Sequence, residues 1–323
     1  MEMNRCLCCG KILDPALCKS AEIEYQWHEK CCFKFFGTRT FPKISITKEQ
    51  LEQLAAKYLA EGFAVTGVQK KLSLHLSQDR ERRLTLVGYP AGFILKPQAD
   101  DYDSLPELEN LVMNMAKSAG IQTVPQALLS VDGELVYITR RIDRHTTKTG
   151  TLCFAMEDFC QLSLRLTEEK YKSSCERCAR VIKEYSSRSG LDLADFFYRL
   201  LFCFVTGNSD MHLKNFSLIE SAPGSREFIL SPAYDLLPVN VILPEDTEES
   251  ALTINGKKSK LRSEDFLDFA CHCGISAKST KKMIQKLLSL KEKFYHDIEN
   301  SFLKEALQHK MMELLENRMA RLQ

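Results

Sequence analysis

The sequence has little net charge, no long apolar run and no repeat. Its 44 basic and 43 acidic side chains leave a formal charge of +1 over 323 residues. A near-neutral chain lacks the broad basic surface that grips phosphate backbones, so no direct nucleic-acid binding is expected. No apolar run approaches the ~20 residues of a bilayer-crossing helix, so no membrane association is expected. The opening MEMNRCLCCG has no apolar core of a signal peptide, so none is expected. No internal repeat or low-complexity tract is found, which argues against a solenoid or a disordered linker protein. The cysteines do not read as a disulfide framework either: there are 13, an odd number, and many lie in helical-looking runs such as LLFCFV and DFACHC. Free thiols buried in helices point to a reducing, cytoplasmic compartment, with translocation into a host cell left open.

What is present is ordinary globular protein: 44% hydrophobic and 27% charged residues. A chain of this length is expected to form one two-lobed unit or two domains. TKEQLEQLAAKYLAEG reads as a helix, with a capping box from Thr47 to Gln50 and Gly62 at its end. KLSLHL, RLTLVG and GFILKP read as strands. PELENLVMNMAKSAG reads as a helix with Pro106 in its first turn and Gly120 past its end. VPQALLS and ELVYITR read as a hairpin about Asp132-Gly133. From Met156 on, the pattern is mostly helical, starting with MEDFCQLSLRL, and interrupted by the short strands FSLIE and EFILSP. This order predicts an α+β fold with a strand-rich N-lobe and a mostly helical C-lobe. The expected divisions are residues 1–40, a Cys-rich module; 41–143, the N-lobe; and 144–323, the C-lobe.

Several positions suit phosphate chemistry. Gly62 and Gly67 bracket a loop whose amides can approach phosphate oxygens, and Lys71 opens the next strand; two glycines before a strand are also a common plain turn. Lys96 ends the strand FILK and needs an anion if it is buried, and Glu109 on the next helix is the natural partner. A strand lysine paired with a helix carboxylate positions phosphates in protein kinases; a surface lysine with a snorkelling side chain is the plainer alternative. In GNSDMHLKNF, Asp210 suits a general base and Asn215, five residues on, suits Mg²⁺ through its amide oxygen. The kinase catalytic loop spaces its Asp and Asn identically. Lys214 suits the γ-phosphate, and His212 reads as a loop-ordering residue beside the nucleotide rather than a base. Asp235 in LSPAYDLLP suits a second Mg²⁺ ligand. A polar loop ending a helix would explain one Asp–Asn pair but not the whole ordered set.

The combination TGVQKKLSL, FILKP, ELENLVMNMAKSAGI, RRIDR, MEDFCQLS, GNSDMHLKNFSLI and LSPAYDLLPV resembles the HipA family of serine/threonine protein kinases, toxins of bacterial toxin–antitoxin pairs. The likeness covers roughly residues 62–245. It implies a bilobal protein-kinase-like fold that uses ATP and Mg²⁺. It assigns Asp210 as the base, Asn215 and Asp235 as Mg²⁺ ligands and Lys96 to the α/β-phosphates. It places Thr66, Gly67, Val68, Gln69 and Lys71 over the phosphates and the backbone of Arg140 to Ile142 against adenine. The stretch before the glycine loop is shorter than in full-length HipA, so the chain resembles the short HipT form of tripartite HipBST systems. That resemblance implies a HipS-like small protein and a HipB-like DNA-binding antitoxin as partners, and an aminoacyl-tRNA synthetase as the type of protein substrate. The serine that the family phosphorylates on itself is replaced by Ala64, so self-phosphorylation is expected on Thr66. A small-molecule phosphotransferase and a partner-binding pseudokinase are the competing readings.

The start of the chain stands apart. Cys6 and Cys9 form a C-x₂-C pair before Gly10, and His28 and Cys31 form an H-x₂-C pair. Four such ligands suit a closed, structural zinc site. The alternative is that these cysteines are small core residues, and Cys8, Cys18 and Cys32 are spare thiols. Trp27 is expected to pack this module rather than bind a ligand.

Overall fold

The computed structural model describes residues 4–44, 71–77, 82–86, 92–99, 101–147 and 150–323. The expected helix over residues 47–62 and the glycine loop, including Thr66, Gly67, Val68 and Gln69, lie outside the described residues. In chain order the elements are α1 (Ser20–Glu24), α2 (Glu29–Phe36), β1 (Lys43–Ile44), β2 (Leu72–Leu76), β3 (Arg83–Leu86), β4 (Phe93–Lys96) and α3 (Leu105–Ser118). There follow β5 (Gln126–Val131), β6 (Glu134–Arg140), β7 (Arg144–Thr147), β8 (Gly150–Cys153), β9 (Met156–Asp158) and α4 (Phe159–Leu162). The remainder is α5 (Cys175–Tyr185), α6 (Ser189–Thr206), β10 (Ser217–Glu220), β11 (Phe228–Leu230), α7 (Val239–Ile242), α8 (Ser263–His272), α9 (Ala277–Leu288), α10 (Lys291–Glu299) and α11 (Glu305–Ala320). This is the α+β fold class expected, with the strands mainly in the first half and the helices mainly in the second. Two compact units result: residues 1–110 with 124–146, and residues 111–123 with 147–323.

The first unit is built on a six-stranded sheet in the order β1-β3-β2-β4-β6-β5. Alternation in the sequence sets its faces: Leu72 and Leu74 of β2 lie opposite Leu95 and Phe93 of β4, and all four are buried. Asp132 and Gly133 both take positive φ, the twist that a two-residue hairpin between β5 and β6 needs. α3 begins where the Gln98 side chain accepts the Leu105 amide, and the chain leaves it through Gly120 at φ +87°.

The second unit is organised around α6, an 18-residue helix whose Phe196, Phe197, Leu201, Phe202, Phe204 and Val205 are all buried. With every residue from Phe196 to Thr206 buried, the later turns of α6 are a core helix. Two buried charges on it hold the strand that leads to the site. Asp192 accepts the Leu230 amide at 2.7 Å, and Arg199 donates to the Ser231 carbonyl at 2.6 Å. Burial draws the Arg199 guanidinium down to about 10, so it keeps its charge at neutral pH. One expectation fails here. Met156–Asp158 is not helical but a third strand on β10, with Asp158 opposite Ser217. The helix starts only at Phe159, because the Asp158 side chain accepts the Gln161 amide and caps it. Of the three methionines on α11, Met311 and Met319 are buried in the core and Met312 is half-buried.

Candidate active site

The loop after α6 starts with a backbone reversal. Gly207 takes φ +72°, and a Cβ there would come 2.7 Å from Leu314 Cδ2. Left-handed backbone costs a side-chain-bearing residue about 1–2 kcal/mol. Gly207→Ala should therefore lower stability by about that much, with a further cost for swinging Leu314 aside; a denaturant midpoint shift at unchanged slope reads it.

Beyond Gly207 the loop folds on itself. The Asp210 amide donates to Asn208 Oδ1 at 3.2 Å. The Asp210 carbonyl accepts the His212 amide at 2.8 Å and Asn215 Nδ2 at 2.8 Å. The Asn215 amide returns to the His212 carbonyl at 2.9 Å. With Nδ2 bound to Asp210, the Asn215 Oδ1 is directed the opposite way, because the two ends of a planar amide diverge. The structure thus brings Asp210, His212 and Asn215 into one hydrogen-bonded turn.

His212 is buried and meets the Tyr171 ring edge-to-face at 5.0 Å. The Tyr171 hydroxyl donates to Asp210 Oδ1 at 2.6 Å. Burial first, and then this bond, raise the phenol above its usual pKa, so the donor persists through neutral pH. Lys214 lies 3.4 Å from Asp158 Oδ2, and its carbonyl accepts from the Tyr234 hydroxyl at 3.2 Å. That hydroxyl also pairs with Ser217 at 2.6 Å. Asp235 follows Tyr234, is half-buried and takes φ +61°. Such a conformation in a carboxylate held by a fixed scaffold is where functional strain is commonly stored.

In the first unit, Lys96 is buried, and its Nζ donates to Glu109 Oε1 at 2.5 Å. The ammonium also lies 5.3 Å from the centroid of the Tyr137 ring, its cross-strand partner. The snorkelling alternative for Lys96 is therefore wrong. Lys71 is exposed just before β2. The Arg140 amide is already bonded to the Pro125 carbonyl at 2.9 Å. The Arg141 guanidinium grips Asp143 through two bonds of 2.8 and 2.6 Å, which flank Ile142 with a fixed turn. Sequence reasoning missed Tyr171, Asp158 and Tyr234. Their roles depend on contacts 17 to 56 positions away in the chain, and no local pattern signals them.

Three cysteines and a histidine also converge in the first unit: the ligand atoms of Cys6, Cys9, His28 and Cys31 all lie within 4.8 Å of one another.

Comparison with known proteins matches the HipA-like C-terminal domain family to residues 63–294. A curated relative, "Putative kinase Y4mE" of Sinorhizobium fredii, is 29% identical over 233 residues, covering 70% of this chain and 54% of that protein. The chain thus spans about half the length of that relative. Among solved structures, the Shewanella oneidensis toxin–antitoxin complex of HipA, HipB and operator DNA matches at TM-score 0.64 and 20% identity, over 80% of this chain and 64% of that one. The Helicobacter pylori proinflammatory kinase CtkA matches at TM-score 0.50 and 15% identity, over 74% of this chain and 90% of that one. Among the described residues no helix is long and apolar enough to cross a membrane.

Proposed function

This chain belongs to the HipA-like C-terminal domain family, and from that premise we propose that it is an ATP- and Mg²⁺-dependent protein serine/threonine kinase acting as a toxin. The observation that carries this reading is the locked turn in which Asn215 Nδ2 holds the Asp210 carbonyl at 2.8 Å. It ties Asp210 and Asn215, the proposed base and cation ligand, into one hydrogen-bonded turn.

The residues then divide the work. Asp210 accepts the hydrogen bond of the attacking hydroxyl and takes its proton as the new P–O bond forms and the bond from the γ-phosphorus to the β–γ bridging oxygen breaks, releasing ADP. Asn215 Oδ1 and the Asp235 carboxylate supply the oxygen donors that Mg²⁺ prefers. When bound, Mg²⁺ neutralises charge on the phosphates. Lys96 holds the α/β-phosphates, and Glu109 keeps it extended towards them. Thr66, Gly67, Val68, Gln69 and Lys71 cover the phosphates, and the backbone from Arg140 to Ile142 receives adenine. Because the Arg140 amide is occupied, adenine recognition falls to its carbonyl and to Ile142. Lys214, drawn toward Asp158, holds the loop and reaches the γ-phosphate only by exchanging that partner.

Tyr171 holds the Asp210 carboxylate by Oδ1 and so sets its orientation. A hydrogen bond to a charged group contributes about 1.5–3 kcal/mol when buried, and less here because Tyr171 is 40% exposed. Tyr171→Phe should therefore slow transfer by about tenfold, leaving the KM for ATP unchanged. An unchanged kcat would remove Tyr171 from the positioning of the base.

The expected substrate is a protein of translation, of the aminoacyl-tRNA synthetase type, and the expected control is a HipS-like protein with a HipB-like antitoxin. The HipB present in the Shewanella complex supports the latter partner. The experiment is phosphoproteomics of a bacterial lysate treated with the purified protein and Mg·ATP. New phosphoserine or phosphothreonine on a translation protein supports the reading, whereas phosphate only on metabolites would reassign the chain as a small-molecule phosphotransferase.

A further inference from the structure

We propose that Cys6, Cys9, His28 and Cys31 bind one structural Zn²⁺, and that this metal clamps the N-terminal module over the open edge of the six-stranded sheet. The kinase reading does not require it and does not supply it.

The donors come from two pieces of backbone already shaped to present them. Cys6 and Cys9 sit in a tight turn closed by the Gly10 amide on the Cys6 carbonyl and the Cys6 amide on the Lys11 carbonyl, both at 2.8 Å. Gly10 makes the turn with φ +71°. An isolated antiparallel Arg5–Ile12 bridge joins the segments on either side. His28 is the residue before α2, and Cys31 lies in its first turn, so one helix start presents the other two donors. The His28 amide points at Cys6 Sγ at 3.4 Å. An N–H directed at a sulfur suits a metal-bound thiolate.

The distances fit a tetrahedron. With Zn–S near 2.3 Å and Zn–N near 2.05 Å, neighbouring ligands stand about 3.6–3.8 Å apart. Cys9 Sγ and His28 Nδ1 are 3.5 Å apart, and all four ligand atoms lie within 4.8 Å. Three thiolates and an imidazole select a borderline-soft ion and fill its four positions. No position is left for water, so the site is structural.

The clamp has an object. β5 is an edge strand of the sheet. The Leu128 amide on β5 donates to the Leu7 carbonyl at 2.9 Å, and Trp27 Nε1 donates to the Leu128 carbonyl at 3.2 Å. Leu7 lies between the two knuckle cysteines and Trp27 directly precedes His28, so both clamp residues are neighbours of ligands. Trp27 also packs on Phe35 and Phe36, which in turn meet Phe93 of the sheet at 5.7 and 5.5 Å. An uncovered strand edge invites pairing with other chains. A segment of about 40 residues seldom holds such a shape without a metal or other cross-link.

The test is metal analysis of the full chain by mass spectrometry after exhaustive desalting, with Zn²⁺ as the only metal added. The wild type should hold one zinc per chain. Cys9→Ser should retain less than about a tenth of that, whereas Cys8→Ser, which changes a spare thiol, should retain one. Chelated protein should melt several degrees lower, aggregate faster, and recover when Zn²⁺ is restored. Wild type without stoichiometric zinc, stoichiometric iron or copper in its place, or equal loss in Cys8→Ser and Cys9→Ser would overturn the assignment. If Cys9→Ser does not fold, the wild-type stoichiometry and the Cys8→Ser result still decide it. Full zinc with unchanged melting after its removal would overturn the clamp.

Discussion

Lys96→Met should cost the first unit about 3–5 kcal/mol and abolish phosphoryl transfer. Both effects follow from a single contact. Lys96 and Glu109 are buried with almost no exposure and bond at 2.5 Å. Methionine fills the volume of the lysine stem but leaves the Glu109 charge in an apolar setting without its ammonium, and such breaks are strongly destabilising. Lys96→Met/Glu109→Leu replaces the pair with apolar groups and should recover most of the stability, because the desolvation cost of both charges disappears. It should recover none of the transfer, because the charge proposed to hold the phosphates is still absent. Denaturant melts and ATP turnover on the two variants separate the structural role from the chemical one. Recovery of turnover by the double variant would remove Lys96 from phosphate binding.

Asp210→Asn should slow transfer by about 10²–10⁴-fold, the range supplied by a positioned general base. Stability should change little. The bonds that shape the turn use the Asp210 amide and carbonyl, which asparagine keeps. The Tyr171 hydroxyl can still donate to an amide oxygen. A rate measured with Mg²⁺ and ATP at saturation isolates the chemical step. Full activity in Asp210→Asn would place the base elsewhere.

The legible parts of the fold and site were the local ones. Asp210 and Asn215 are five residues apart, and a single local turn brings them together, so their proximity was readable from the spacing. Lys96 and Glu109 were paired from the sequence because an apolar strand ending in a lysine requires an anion nearby, and α3 is the next element. Asp132-Gly133 announced its hairpin through the positive φ that both residues adopt. The sheet order was not legible, since β1-β3-β2-β4-β6-β5 is set by packing between distant strands. Met156–Asp158 was misread because three residues carry no period, and the strand exists only by pairing with β10 some sixty positions on. Tyr171 was missed for the same reason: it lies in the polar stretch EEKYKSS, 39 positions before the carboxylate it binds.

The most direct test of the central claim is transfer of label from γ-³²P-ATP to protein in a bacterial lysate, with wild type and Asp210→Asn side by side, with Mg²⁺ and with chelator. The account predicts labelled protein with the wild type and Mg²⁺ alone, and only background in the other three conditions. No label above background with the wild type, or equal labelling by Asp210→Asn, would contradict it.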